Sequence, residues 1–417
     1  MPEQSFQETS IGPTRGSPSD GPTRASARPE PDTWRPPRNP LSPVRKPLLA
    51  ALNLTAVRED RLLYLRRSGA LQGRQFHVWP ERKEVLPAEQ RQPVNPASPK
   101  NIYLLKPRGF CAGVVRAIDI VELALQAFGP PIYVRREIVH NSHVVRDLAS
   151  RGAVFVEELD EVPEGARVIY SAHGVAPAVR QMATDRRLRV IDATCPLVTK
   201  VHLEAVRFAS AGATILLIGH RDHDEVIGTL GEAPAQTLVV STPDEARQVQ
   251  VRDPQNLFYL TQTTLSLDDA KAIIEVLSER FPKIQGPPAQ DICYATENRQ
   301  QAVKQIAAQA DLLLVVGSDN SSNSRRLVEV GENAGLRGRL IDDQLQIQPA
   351  WLDGVDRIAV TAGASAPEVL VQQVIGRLAE FGFHNVEEVE VVEESVRFAL
   401  PQELVGPGAS LTQIANG

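Results

Sequence analysis

Cysteine is scarce in this chain: three in 417 residues. Three cannot staple a protein of this size, and a chain this long buries enough apolar surface to need no disulfides. Long apolar runs are missing too. None approaches the ~18 residues of a membrane-spanning helix, so no membrane association is expected. An excess of positive charge is also absent. The net charge is -6, which argues against a chain built to coat nucleic acid. The first residues lack an apolar signal-peptide core and carry Glu3, Glu8 and Asp20, a poor fit to an acid-poor transit sequence. The expected compartment is cytoplasmic, of the bacterial type. No GxxxxGK[ST] phosphate loop occurs, which argues against ATP. No nicotinamide or flavin motif and no compact CxxC pair occurs either.

What is present is unevenly placed. Sixteen of the 32 prolines fall within residues 1–99, while all three cysteines come later. Residues 1–99 carry 15 Lys and Arg against 10 Asp and Glu; the remainder carries 30 against 41. Two regions of different physics share the chain. Residues 1–47 are rich in Pro, Ser, Arg and Gly and cannot offset chain entropy by burial, which predicts a disordered arm. Residues 48–99 predict a small module followed by the linker EVLPAEQRQPVNPASPK.

From Asn101 onward, short apolar runs such as NIYLL, TILLIGH and DLLLVVG alternate with amphipathic stretches of helical length. That alternation predicts an α/β fold with mostly parallel sheets, and near-continuous apolar runs predict strands covered on both faces. Used as a ruler, the cysteines expose an internal repeat. Cys111, Cys195 and Cys293 are 84 and 98 residues apart, each between an extended stretch and an amphipathic segment. Polar strand ends follow at His140, His220 and Gly317, and again at Ser171, Thr261 and Thr361. The pattern predicts three α/β units, 100–194, 195–292 and 293–390, with a tail at 391–417. A strand near 101–110 would complete the third unit. Ligands of open α/β sheets gather at the carboxyl ends of strands. Three units about a pseudo-threefold axis would therefore aim three cysteines at one centre.

A free cysteine is by default a small buried hydrophobe; equivalent places in three repeats point elsewhere. Three thiolates suit a zinc site completed by histidine, or an iron–sulfur cluster. In a cubane cluster, three protein ligands leave one iron open as a Lewis acid beside a source of electrons. Of eight histidines, His140, His143, His173, His220 and His223 lie at or near strand ends, where imidazole can donate to phosphate oxygens. The segment NSSNS places Ser321, Ser322 and Asn323 at the start of a helix, more donors than a cap requires and a natural anion site. Glu225, two residues after His223, is the candidate proton donor, since burial beside an anion would raise its pKa. Asp222 and Asp224 are adjacent alternatives. The threonines of TQTTLS would orient this acid or a substrate hydroxyl.

These residues together resemble the 4-hydroxy-3-methylbut-2-enyl diphosphate reductases. The matching segments are PRGFCAGVVRAI, VHNSHVV, SAHGV, DATCPLVTKVH, GHRDHDEV, TQTTLS, DICYATENRQ, VVGSDNSSNS and TAGASAP, in order from Lys106 to about Pro367. The resemblance implies three pseudo-threefold-related units around one [4Fe-4S] cluster on Cys111, Cys195 and Cys293. It implies that the substrate hydroxyl meets the open iron and leaves as water after two electrons and protons arrive, giving isopentenyl and dimethylallyl diphosphate. It assigns the proton donor to Glu225 and places Thr263 near the substrate hydroxyl. The diphosphate would be held by His140, His173, His223, Ser321, Ser322, Asn323 and Ser365, and electrons would come from ferredoxin or flavodoxin. Two departures stand out. Residues before Lys100 lie outside the family core, and Asp224 stands where many members have proline, adding a charge beside Glu225. A cluster-dependent hydro-lyase and a non-enzymatic metal-binding regulator are the competing readings.

Overall fold

The computed structural model describes residues 100–405. The arm expected at 1–47 and the module and linker expected at 48–99 lie outside the described residues, as do residues 406–417 of the tail.

Twelve strands build three sheets among the described residues, every pairing parallel. One sheet joins β2 (Ile132–Arg135), β3 (Ala153–Val156), β4 (Arg167–Tyr170) and β5 (Arg189–Asp192) in the order β3-β2-β4-β5. A second joins β6 (Thr214–Ile218), β7 (Thr237–Val240) and β8 (Leu257–Thr261) in the order β7-β6-β8. The third runs β10-β9-β11-β1-β12, from β1 (Asn101–Lys106), β9 (Leu312–Val316), β10 (Arg337–Ile341), β11 (Arg357–Ala362) and β12 (Asn385–Glu390). The α/β class with mostly parallel sheets is as the sequence led us to expect.

The apolar runs become central strands because both faces are covered. In β9, Leu312, Leu314 and Val316 enter one apolar cluster while Leu313 and Val315 enter another. In β6, Leu216 and Ile218 face one cluster and Ile215 and Leu217 the other. The strand period of two thus feeds two cores per sheet.

The helices of ten residues or more are α1 (Ala112–Phe128), α4 (Pro196–Ser210), α7 (Leu267–Arg280), α8 (Tyr294–Ile306), α9 (Ser322–Asn333) and α10 (Glu368–Glu380). Shorter ones are α2 (Ser142–Ser150), α3 (Pro177–Asp185), α5 (Asp224–Glu232) and α6 (Pro243–Gln248). Ala117, Ile120, Val121 and Ala124 of α1 pack on the β2–β5 sheet. Val201, Ala205 and Phe208 of α4 pack on the β6–β8 sheet. Ala302, Val303 and Ile306 of α8 pack on the β9–β11 sheet.

A cysteine holds the position just before each of these three helices: Cys111 before α1, Cys195 before α4, Cys293 before α8. Each cysteine also terminates the preceding sheet, after β1, after β5, and beside β8 through Cys293 N–H to Thr263 O at 3.1 Å. A cysteine is therefore the seam where the chain leaves one sheet and enters the helix of the next. The stretches before Cys111 and Cys195 are strands as predicted; AQDI before Cys293 is irregular. The run PIYVRREIV is a strand only to Arg135, because Arg136 takes φ 57° and breaks the extended path.

Candidate functional site

The three seams open onto one cavity of about 100 Å³. Twelve of the residues singled out from the sequence line it: Cys111, Cys195, Cys293, Glu225, Thr263, His140, His173, His223, Ser321, Ser322, Asn323 and Ser365. His143 and His220 are not among its lining residues; His143 sits on α2 with Nε2 3.8 Å from Asp343.

The thiols face one another at helix N-termini, where backbone N–H groups favour negative charge. Burial nevertheless pushes the Cys195 thiol up to about 12 and the Cys293 thiol to about 11, with the nearby Cys111 adding to both. Buried thiols with such values ionise when a metal takes the proton's place. Gly113 is a cradle beneath them. A Cβ there would lie 2.7 Å from Cys195 Sγ and 3.8 Å from Cys111 Sγ. Among the described residues, the group of three His, Cys, Asp or Glu ligands lying within 4.8 Å of one another is His140, His173 and Asp224, not the three sulfurs. Sulfurs around one tetrahedral zinc, at Zn–S of about 2.3 Å, would sit about 3.8 Å apart. The wider, glycine-floored triangle fits a multi-iron cluster instead. Cys293 Sγ also accepts from Thr296 N–H at 3.4 Å and lies 3.2 Å from Thr296 Oγ1. Hydrogen bonds to a ligating sulfur are one of the protein's levers on cluster potential.

Glu225 stands in the first turn of α5 and is 2 % exposed. Thr263 N–H donates to Oε1 at 2.6 Å and Thr263 Oγ1 donates to Oε2 at 3.0 Å. Burial outweighs these donors and raises its pKa to about 7, with Asp291 contributing. The charge added at Asp224 is answered by Arg136, with which its carboxylate pairs beside His140 and His173. Asp291, two residues before Cys293, is the acidic neighbour that acts on Glu225.

Opposite the acid stand three imidazoles. His140 and His173 stack at 4.0 Å, and His223 approaches both edge-on at 5.5 and 5.9 Å. Burial, then the other histidines, hold His173 well below its usual value and bring His223 to about 3. Both are neutral at pH 7. Gly174, at φ 80°, makes the turn that presents His173. The helix termini converge here as well. Ser321 caps α9 through Ser324 N–H, and His223 caps α5 by accepting from Glu225 N–H at 3.2 Å. Ser322 Oγ donates to Thr264 O at 3.3 Å, Asn323 Oδ1 accepts from Ala364 N–H at 2.9 Å, and Ser365 Oγ donates to His140 O at 2.8 Å. Ser322 and Asn323 lie inside the first turn of α9. Such a terminus is an anion site.

Of the lining residues that sequence reasoning did not single out, three bear most on the site. Tyr294 receives the Ala112 N–H at 3.3 Å, and Thr296 supports Cys293. Phe398, 8 % exposed, comes from the irregular segment after β12 and covers one wall. Tyr294 and Thr296 stand beside a cysteine in the motif DICYATENRQ; nothing in the tail's composition points to Phe398.

Comparison with known proteins agrees with this geometry. The family model described as "LytB protein" matches residues 102–379. The 4-hydroxy-3-methylbut-2-enyl diphosphate reductase of Acidothermus cellulolyticus is 58% identical over 310 residues, covering 74% of this chain and 91% of that protein. Reductase 2 of Mycobacterium tuberculosis is 58% identical over 309 residues, covering 74% and 92%. Among solved structures, the E-1-hydroxy-2-methyl-but-2-enyl-4-diphosphate reductase from Plasmodium falciparum superposes with a TM-score of 0.72 at 42% identity, covering 74% of this chain and 98% of that one.

Proposed function

The chain belongs to the LytB protein family, and from that premise we propose that it reductively removes the hydroxyl of (E)-4-hydroxy-3-methylbut-2-enyl diphosphate. Two electrons and two protons convert the substrate to isopentenyl or dimethylallyl diphosphate and one water. One proton leaves with the hydroxyl oxygen, and the other enters the new C–H bond. The observation that carries this reading is the meeting of three cysteines, a carboxyl group poised near neutrality and a helix-lined anion pocket in one cavity.

The enzyme is an iron–sulfur protein, and its finer assignment is a [4Fe-4S] cluster held by Cys111, Cys195 and Cys293. Bound there, the cluster supplies electrons and one iron open to a substrate oxygen. The remaining work belongs to side chains. Glu225 is protonated at or below pH 7 and gives its proton to the departing hydroxyl. Thr263 fixes the rotamer of that acid through two hydrogen bonds and can pass a proton across its own hydroxyl. His140, His173 and His223 donate N–H to diphosphate oxygens; at His173 and His223 the incoming charge raises the proton affinity that burial had lowered. Ser321, Ser322 and Asn323 bring the α9 terminus to the same anion, and Ser365 closes the ring. Electrons arrive from ferredoxin or flavodoxin. No helix of the described residues is long and apolar enough to cross a membrane.

The test is anaerobic purification, iron and sulfide analysis, and assay with the allylic diphosphate plus a chemical reductant. We expect about four irons and four sulfides and turnover that stops without reductant. Zinc in their place, or turnover without reductant, would overturn the reading.

A further inference from the structure

The helices that follow the three cysteines each bury one basic side chain that is not among the residues lining the cavity. Arg116 lies five residues after Cys111, Lys200 five after Cys195 and Arg299 six after Cys293. Their exposures are 8, 6 and 0 %. A buried cation on a core-facing helix is costly without firm partners, so the partners are informative.

All three reach the same kind of target. Arg116 Nη1 donates to Thr194 O at 3.1 Å and Nη2 to Asp192 O at 3.4 Å, just before Cys195. Lys200 Nζ donates to Ala289 O at 2.6 Å, Gln290 O at 3.3 Å and Asp291 Oδ1 at 2.6 Å, just before Cys293. Arg299 Nη2 donates to Gly109 O at 2.7 Å, two residues before Cys111. The circuit closes: 111 to 195, 195 to 293, 293 to 111. In each unit the cation ties the helix that begins at one cysteine to the chain that ends at the next.

We propose that Arg116, Lys200 and Arg299 are positioning residues, three struts that each set one side of the cysteine triangle. The carbonyls they hold are the last groups before the ligand loops, so a strut fixes the approach of one sulfur relative to another. A neutral residue could pack in the same volume but could not satisfy two or three carbonyls. Two struts also grip the covering segment. Arg116 Nε donates to Ala399 O at 2.7 Å, and Arg299 Nη1 donates to Glu394 Oε1 at 3.0 Å, on either side of Phe398. Lys200 has no such contact with that segment and is the cleanest test of the triangle alone.

The proposal rests on the three cysteines forming one ligand set, but not on the reaction assigned to them. It is tested on the full chain after cluster removal under reducing, anaerobic conditions. Wild type, Arg116→Met, Lys200→Met and Arg299→Met are treated with diamide, which accepts the two electrons and two protons released when two thiols form a disulfide. Disulfide-linked peptides are counted by mass spectrometry over time. Each variant should accelerate, about tenfold or more, the pair on its own side: Cys111–Cys195, Cys195–Cys293 or Cys293–Cys111 respectively. The other two pairs should keep the wild-type rate. Lys200→Arg, which keeps the charge and several donors, should restore the wild-type pattern. If a Met variant does not fold by circular dichroism, Arg116→Gln, Lys200→Gln or Arg299→Gln takes its place, with the same side-specific expectation. Uniform acceleration of all three pairs, or no change in any, would overturn the proposal. A failure of reductase activity in the wild-type holoenzyme would bear on the assigned reaction and leave this measurement intact.

Discussion

Glu225 and Thr263 meet twice: the threonine amide and hydroxyl each donate to a different oxygen of one buried carboxyl group, at 2.6 and 3.0 Å. A charged carboxylate would welcome both donors, yet burial is the larger effect and keeps the proton on until about pH 7. The pair is thus an acid whose strength is set by two opposing forces and whose direction is fixed by one neighbour.

Replacing Glu225 with Gln keeps the shape and the Thr263 amide contact but removes the transferable proton. The purified protein should retain its cluster absorption while kcat falls by about 10²–10⁴, the usual contribution of a positioned acid. Steady-state assay beside iron analysis checks this; a near-normal kcat would remove Glu225 from the mechanism.

The wild-type rate should fall as pH rises through about 7, because the acid is then lost. Thr263→Val deletes one donor that favours the carboxylate. The falling limb should move to higher pH, with a lower kcat, and Thr263→Ser should restore both.

Stability carries the same signature with a definite sign. The folded Glu225 holds its proton to about 7, whereas the unfolded carboxyl loses it near 4.5. The contribution is full below 4.5 and is lost as pH rises through 7. Thermal unfolding of the cluster-free protein should show this decline across the window, and Glu225→Gln should flatten it.

His173→Phe preserves the stacked ring against His140 but removes a donor to the diphosphate. Loss of one hydrogen bond to a charged group, about 1.5–3 kcal/mol, corresponds to a KM roughly tenfold to a hundredfold higher. Product distribution should not change, since the ring is remote from Glu225 in role.

Substituting serine for any one of Cys111, Cys195 or Cys293 should abolish the visible iron–sulfur absorption. Removing residues 1–99, which lie outside the family match at residues 102–379, should leave both absorption and turnover unchanged.

The sequence disclosed more of the site than of the supports around it. The cysteine-led repeat was legible because strand, cysteine and helix recur in the same order, and the twelve lining residues lie in motifs beside strand ends. The limit at Arg135 was not legible, since the apolar run continues past the residue whose backbone breaks it. The state of the histidines was hidden as well. His173 and His223 are kept neutral first by burial and then by His140 from a distant segment, which no local pattern encodes. Phe398 belongs to the same class: a lone aromatic in an irregular tail takes its meaning from the wall it covers. Arg116 and Lys200 share one offset from their cysteines, a signal that was present but reads as ordinary helix amphipathicity until the partner carbonyls are seen.

The third sheet has one more consequence. Its strand order places β1, the first described strand, between β11 and β12, the last two. During synthesis β1 emerges long before either neighbour exists, and Cys111 hangs from its end. The other two sheets can assemble while the ribosome is still translating. The third sheet cannot, because β1 gains both its neighbours only once translation has passed residue 390.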